Sequence, residues 1–436
     1  MFAKSRLIGL GFLLLASGSV GLVQVVEDMP VGDSAAMEKA SKKIKSRFAE
    51  IAASDKQPSK DDLAAVELAA QYYVFRVTWP EYNESPDKLA AALKEFNAMY
   101  KQRIVDNLFP EEKIYRDTVV TFHRALKDSF KKVLDERDFA KNRLSSVNAA
   151  MMLPVLGKSK SEDISDFLTG IISSAKQNDA VKLYAMRGLK EYFPLDPQAL
   201  MVKPGDVKRV QALTNYIERK WDVKKENKQE MDACSYLRRE AIRVLGQTQL
   251  AAVGFQKKRV EGQIASTLLR VLAKDFLDPP PSLSEKCTAA FALCNVKTNL
   301  QDYHPDMAIY AVGHTLGQFV TEYRSDQINF KKEPAKDKEA KDTKKGARLP
   351  WKAMSEDWDR SLAAFEAHTK NDKVTSLKKA AEPLLKAIQG YQNPNEQIAN
   401  GFVNEFVTKL KTAQKIPFKE SFTPDNKPLE VELGYE

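Results

Sequence analysis

A chain of 436 residues with 43% hydrophobic and 29% charged residues has the proportions of a folded body, and it is too long for one ordinary compact core. Only 18 glycines in that length argue against a turn-rich β protein, so a helix-rich fold of several domains or an extended repeat array is expected. The 68 Lys plus Arg against 59 Asp plus Glu leave a net charge of +9, which permits an acidic partner without demanding one; with no aromatic-interleaved basic motif, no specific nucleic acid is expected as a partner.

At the N-terminus, Lys4 and Arg6 precede an uncharged stretch from Leu7 to Val26, the pattern of an export signal. Residues 1–26 read either as a cleaved signal peptide, with its apolar core at Leu7 to Ala16 and small residues at Ala16-Ser17-Gly18, or as an uncleaved N-terminal membrane anchor. Positive charge before the segment and Glu27-Asp28 after it place the body across the membrane. The expected location is therefore exported: periplasmic, at the cell surface, or anchored by a single N-terminal transmembrane helix with the body outside the cytoplasm. No Cys follows the apolar run to carry a lipid.

Residues 33–136 form an N-terminal helical region. Asp33 to Ala53 has helical spacing with a lysine-rich face, and a second helix from near Asp61 carries Leu63, Val66, Tyr73 and Val77 up to Trp79-Pro80, where proline biases its predecessor out of the helix. Ser85 is placed as an N-cap with Pro86 at the first helical position, opening a helix to about Val105. Glu111 to about Glu136 repeats Ile114, Val119, Phe122, Leu126, Phe130 and Val133 at helical steps. The aromatic run Tyr72 to Trp79 fits the core of this region better than a binding surface.

Residues 137–325 change to shorter helices in pairs, punctuated by Gly157-Lys158-Ser159, Pro194, Pro204-Gly205, Pro279-Pro280-Pro281 and His304-Pro305. Four helices, at 143–153, 182–189, 238–246 and 286–293, each place an Ala four residues before a Leu, so the two share a face and the Ala admits a close neighbour. Second amphipathic helices follow at Ile164 to Ala175, Val207 to Trp221, Ile264 to Phe276 and Met307 to Tyr323.

Asn148-Ala149-Ala150 and Arg238-Arg239-Glu240-Ala241-Ile242-Arg243-Val244-Leu245-Gly246 resemble the first helix of HEAT-type repeats. The alanines at 149, 185, 241 and 289 stand 36, 56 and 48 residues apart, more irregular than the roughly 40–47 of HEAT and armadillo units. The resemblance covers the central region only. It implies an all-α fold, a HEAT-like α-solenoid of helical pairs flanked by N-terminal long helices and a C-terminal helical section, in a bacterial protein of exported or membrane-anchored type.

A lysine-rich segment at 326–350, densest at Lys331 to Lys345, is expected as a disordered linker. Residues 351–415 form the C-terminal helical region, opened by Trp351 and Trp358, with helices near Ser355 to Thr369, Val374 to Gln389 and Asn395 to Ala413. Residues 416–436 read as an extended tail. Cys287 and Cys294 lie seven apart on one helix, roughly 10 Å along its axis, too far to bridge; three buried thiols are expected, with a pairing of either to Cys234 as the alternative.

His123, His304, His314 and His368 never fall three or four apart, so no helical face presents two imidazoles to a metal. Phosphate-cradling loops, dinucleotide fingerprints, zinc-peptidase motifs and nucleophile elbows are absent from the sequence. Glu111-Glu112 and Asp61-Asp62 fall at helix starts, where capping accounts for them. No catalytic residue, cofactor or metal is expected. The expected function is a non-enzymatic scaffold of the cell envelope binding a protein partner along a helical-repeat surface, with Arg238, Arg239 and Arg243 as candidate partner-binding residues. Two alternatives are an envelope enzyme or carbohydrate-binding protein with an unfamiliar helical site, and a polyanion binder through the lysine-rich linker.

Overall fold

The computed structural model describes residues 34–54, 56–107, 113–134, 143–193, 204–223, 226–256, 259–273, 277–297, 305–332, 349–392 and 394–403. Residues 1–26, expected as an export segment, residues 416–436, His304 and most of the lysine-rich run lie outside these. The fold is all-α with one short hairpin, and the chain divides into two compact units at Pro194/Leu195. Among the described residues no helix is long and apolar enough to cross a membrane.

The first unit contains α1 (Ser34–Ala52), α2 (Lys60–Arg76), α3 (Pro80–Glu84), α4 (Pro86–Arg103), α5 (Lys113–Val133), α6 (Arg143–Ala150), α7 (Leu153–Leu156), α8 (Glu162–Ser173) and α9 (Asp179–Tyr192). Capping sets its boundaries. Ser59 and Asp62 form a reciprocal capping box at the start of α2, and Ser85 accepts from the Lys88 N–H with Pro86 following, as its sequence predicts. At the other end of α2, Thr78 Oγ1 donates to the Phe75 carbonyl at 2.6 Å before Pro80 starts the next turn.

Its core is built from α1, α2, α4 and α5: Phe48 stacks on Phe122 with centroids 5.0 Å apart, and Phe96, Tyr100 and Phe130 are buried beside them. The aromatic run belongs to this core, since Tyr72, Tyr73, Phe75 and Trp79 are all buried. Arg76 within it is held by Tyr82 Oη and Glu95 Oε2, each at 2.7 Å. Helices α6 to α9 group with these N-terminal helices rather than with the helices of the second unit. Asn148 shows how: its side-chain amide donates to the Val77 carbonyl at 3.3 Å and to Asn83 Oδ1 at 2.8 Å, meeting polar groups left where α2 stops.

The second unit contains α10 (Pro204–Glu218), α11 (Lys228–Gly246), β1 (Ala252–Gln256), β2 (Arg259–Gln263), α12 (Ile264–Leu272), α13 (Leu283–Cys294), α14 (Pro305–Lys332), α15 (Trp351–Thr369), α16 (Asp372–Gln389) and α17 (Glu396–Val403). Here α10 packs on α11, α12 on α13, and α13 on α14, while α11, α13 and α15 stack in succession, as do α10, α12 and α14. Packed helix pairs in two layers are compatible with an α-solenoid.

Pairing departs from the expected scheme. Helices at 164–175 and 264–276 are expected to pair with the first helices before them, yet α8 packs chiefly on α9 and α12 on α13, the helices that follow; α10 likewise packs on α11, and α13 with α14 keeps the expected order. The five-residue link between α8 and α9 returns the chain directly, whereas α7 and a 3-10 turn (Gly157–Ser159) intervene between α6 and α8.

Three further differences are local. The hairpin was not expected; β1 and β2 pair antiparallel with Val253 opposite Gly262 and Phe255 opposite Val260, and pack against α10. Helix α14 runs on past Tyr323 to include Lys331 and Lys332, the first two lysines of the expected linker. Trp351 and Trp358 fasten α15 to α13 and α14: Trp358 meets Phe291 edge-on at 4.9 Å, Trp351 lies 5.4 Å from Phe319, and its Nε1 donates to Asp326 at 3.0 Å.

Candidate functional site

Helix α11 carries all three candidate arginines. Asn227 caps it, accepting from the Glu230 N–H, and Cys234, Leu237, Ala241 and Leu245 recur at three- and four-residue steps to bury one face. That face meets α13 closely: a Cβ added to Gly246 would lie 2.6 Å from the Ala292 Cβ. Side chains at 239 and 243 therefore share one face of a rigid, tightly packed rod, and the side chain at 238 points elsewhere.

Arg238 points inward. Its Nε donates to Glu285 Oε1 at 2.5 Å and its Nη1 to the Pro279 carbonyl at 2.8 Å, and both charged side chains are at most 1% exposed. Glu285 is fully used, because its Oε2 also accepts from the Ser282 N–H, Ser282 Oγ and Ser235 Oγ, each at 2.7 Å. This cluster ties α11 to the loop and first turn of α13. It is a buried structural latch, so Arg238 is not presented to a partner.

Arg239 and Arg243 face outward together. Arg239 is half-buried; its Nη1 donates to Ser284 Oγ at 2.7 Å, its Nε has no hydrogen-bond partner, and its guanidinium lies 5.5 Å from the Tyr236 ring. Burial lowers its pKa from the ordinary arginine value, and repulsion from Arg243 lowers it further. Arg243, one turn on, has a side chain 46% exposed and pairs with Glu240 on its own helix.

A second feature lies between α13 and α14, an open cleft of about 280 Å³ lined by Pro281, Leu283, Lys286, Gly317, Gln318, Thr321 and Glu322. Its charged lining is one ammonium and one carboxylate. Thr321 Oγ1 donates to the Gly317 carbonyl at 2.9 Å. None of these residues stands out in the sequence, where Pro279 to Pro281 reads as punctuation and α14 as an ordinary amphipathic helix.

The strongly shifted titratable groups are internal. Burial pulls His123 and His314 each down to about 4 and pushes the Cys287 and Cys294 thiols up. His123 shares a 2.8 Å hydrogen bond with Tyr100 Oη inside the first unit. Among the described residues no group of three or more His, Cys, Asp or Glu is placed to hold a metal ion.

Comparison of the chain with protein-family models, with curated proteins and with solved structures finds no match.

Proposed function

We propose that this chain is a non-enzymatic interaction scaffold of the cell envelope, exported through its N-terminal segment and binding a protein partner on the helical-repeat surface of its second unit. The observation that carries the reading is the pair Arg239 and Arg243, one turn apart on a helix that the Arg238–Glu285 latch and the Arg239–Ser284 hydrogen bond fix to α13. A rigid helix presenting two arginines one turn apart suits recognition of another protein, since little side-chain freedom is left to lose on binding. The two-layered packing of α10 to α15 supports kinship with HEAT-type repeats, which use such surfaces for partners. Export rests on the basic-then-apolar pattern of residues 1–26.

The test places a photo-crosslinking residue at Gln247, exposed on the turn after Arg243, in the native full-length chain. Crosslinked species recovered from membranes, together with N-terminal sequencing of the mature chain, report partner and processing at once. A chain found in the cytoplasm with Met1 intact and no crosslinked partner defeats the reading.

A second reading follows from the α13–α14 cleft, where Gln318, Thr321, Glu322 and Lys286 surround Leu283 in the mixture of polar and apolar groups that takes a sugar. Titration with envelope-type oligosaccharides tests it, and binding abolished by Gln318→Ala supports it.

A further inference from the structure

We propose that the partner of the Arg239–Arg243 surface is an acidic polypeptide segment, whose paired Asp or Glu carboxylates bridge the two guanidiniums. The proposal rests on the partner-binding reading above and names the chemistry of that partner.

The argument is an imbalance of charge and hydrogen bonding. Of the acids on α11 and α13, Glu240 and Glu285 hydrogen-bond to Arg238 and Arg243, while Glu230 and Asp232 stand further back on α11. Glu285 is consumed by Arg238 and two serines, and Glu240 by Arg243. Arg239 is left with a serine hydroxyl as the one hydrogen-bond acceptor of its guanidinium among the described residues, and with a buried Nε that donates to nothing. A half-buried cation whose hydrogen bonds reach no carboxylate, although Glu240 and Glu285 act on it through space, and which a second cation one turn away repels, gains from an anion supplied from outside.

Geometry selects the kind of anion. Arg239 is held by Ser284 on one side and the Tyr236 ring on the other, so its planar fork is fixed before the ligand arrives, and Arg243 stands at the i+4 position of the same face. Planar carboxylates on one peptide match two such forks.

The probe is a fluorescein-labelled decaglutamate peptide titrated into the full chain, with decaglutamine as the neutral control. The wild-type chain is expected to bind decaglutamate with an affinity that falls as salt rises, and not to bind decaglutamine. Arg239→Gln and Arg243→Gln each weaken binding about tenfold, Arg239→Lys retains part of it, and Arg360→Gln, at an exposed ion pair on α15, leaves it unchanged. Arg243 is surface-exposed, so its variant decides the matter even if Arg239→Gln disturbs folding.

Absence of decaglutamate binding, equal binding by the arginine variants, or binding that disappears only when the lysines from 335 to 345 are changed to glutamine overturns the proposal. Binding to phosphatidylglycerol vesicles in place of the peptide overturns it in favour of a lipid surface. A protein crosslinked at position 247 while decaglutamate fails to bind sinks the acidic partner alone. Decaglutamate binding with no crosslinked protein in membranes sinks the scaffold reading alone.

Discussion

Gly157 and Gly188 meet backbone to backbone: a Cβ placed on Gly157 would lie 1.8 Å from the Gly188 carbonyl oxygen, and one on Gly188 would lie 2.7 Å from the carbonyl of Leu153. The 3-10 turn after α7 thus rests directly on α9. Contact this close with main chain cannot be relieved by turning a side chain. Gly157→Ala is expected to cost about 3 kcal/mol, which lowers the melting midpoint of the first unit by roughly 6–12 °C. Gly170, exposed on α8 with nothing within 4 Å of its Cβ position, is the control; Gly170→Ala should stabilise by roughly 0.5–1 kcal/mol. Equal effects of opposite expectation, or a neutral Gly157→Ala, would show that the close approach does not exist.

The buried Arg238–Glu285 pair makes a different prediction. Removing one partner strands the other charge without water, so Arg238→Met or Glu285→Gln should each cost roughly 3–5 kcal/mol. The double variant should lose clearly less than the sum of the two, because no bare charge remains. Glu285→Gln also weakens the capping box with Ser282, which makes it the more damaging of the two. Denaturant unfolding of all four chains gives the coupling energy, and strict additivity would contradict a latch.

Much of the helical order was legible because its causes are local. Ser85 caps where short-range chemistry places it, and the helical periodicity of α5 survives folding unchanged, while α11 starts at Lys228, ten residues before the expected helix at 238–246. Pairing was not legible. Amphipathic stripes state that a helix packs, while the choice between its two sequence neighbours depends on link length and on contacts such as Gly157 with Gly188, which looks like punctuation in a sequence. The hairpin escaped because Val253, Phe255 and Val260 alternate over strands of only five residues. The candidate site was half legible: Arg238, Arg239 and Arg243 are all basic letters on one helix, and only the location of Glu285, 47 residues on, separates the buried one from the outward two.

Acid should destabilise both units in the same window. His123 and His314 have ordinary imidazole values of 6.5, and burial draws each down to about 4 in the folded chain. The unfolded chain therefore binds these protons from about pH 6.5 downward while the folded chain refuses them until about pH 4. Stability from this source is complete above pH 7, declines between about 6.5 and 4, and changes no further below that, with roughly 3 kcal/mol lost at each site. Melting midpoints recorded from pH 7.5 to 4.5 should fall, and His123→Gln and His314→Gln should each flatten part of the decline. A midpoint constant from pH 7 to 5 would mean that neither imidazole is buried in its neutral form.

The three cysteines give the last test, and it bears on the proposed export. Cys234, Cys287 and Cys294 are buried and form no disulfide with one another, and burial pushes the Cys287 and Cys294 thiols far above their ordinary value, so almost none of either is thiolate at neutral pH. Thiolate is the reacting species in both alkylation and disulfide exchange. The native chain should therefore resist a thiol reagent at pH 8 for as long as it stays folded, and all three thiols should titrate together in denaturant, with or without prior reductant. Reductant should leave the melting midpoint unchanged. Recovery of one thiol in place of three would reveal a pairing with Cys234, and one fast-reacting thiol in the native chain would place a cysteine at the surface, contrary to the packing of α11 and α13.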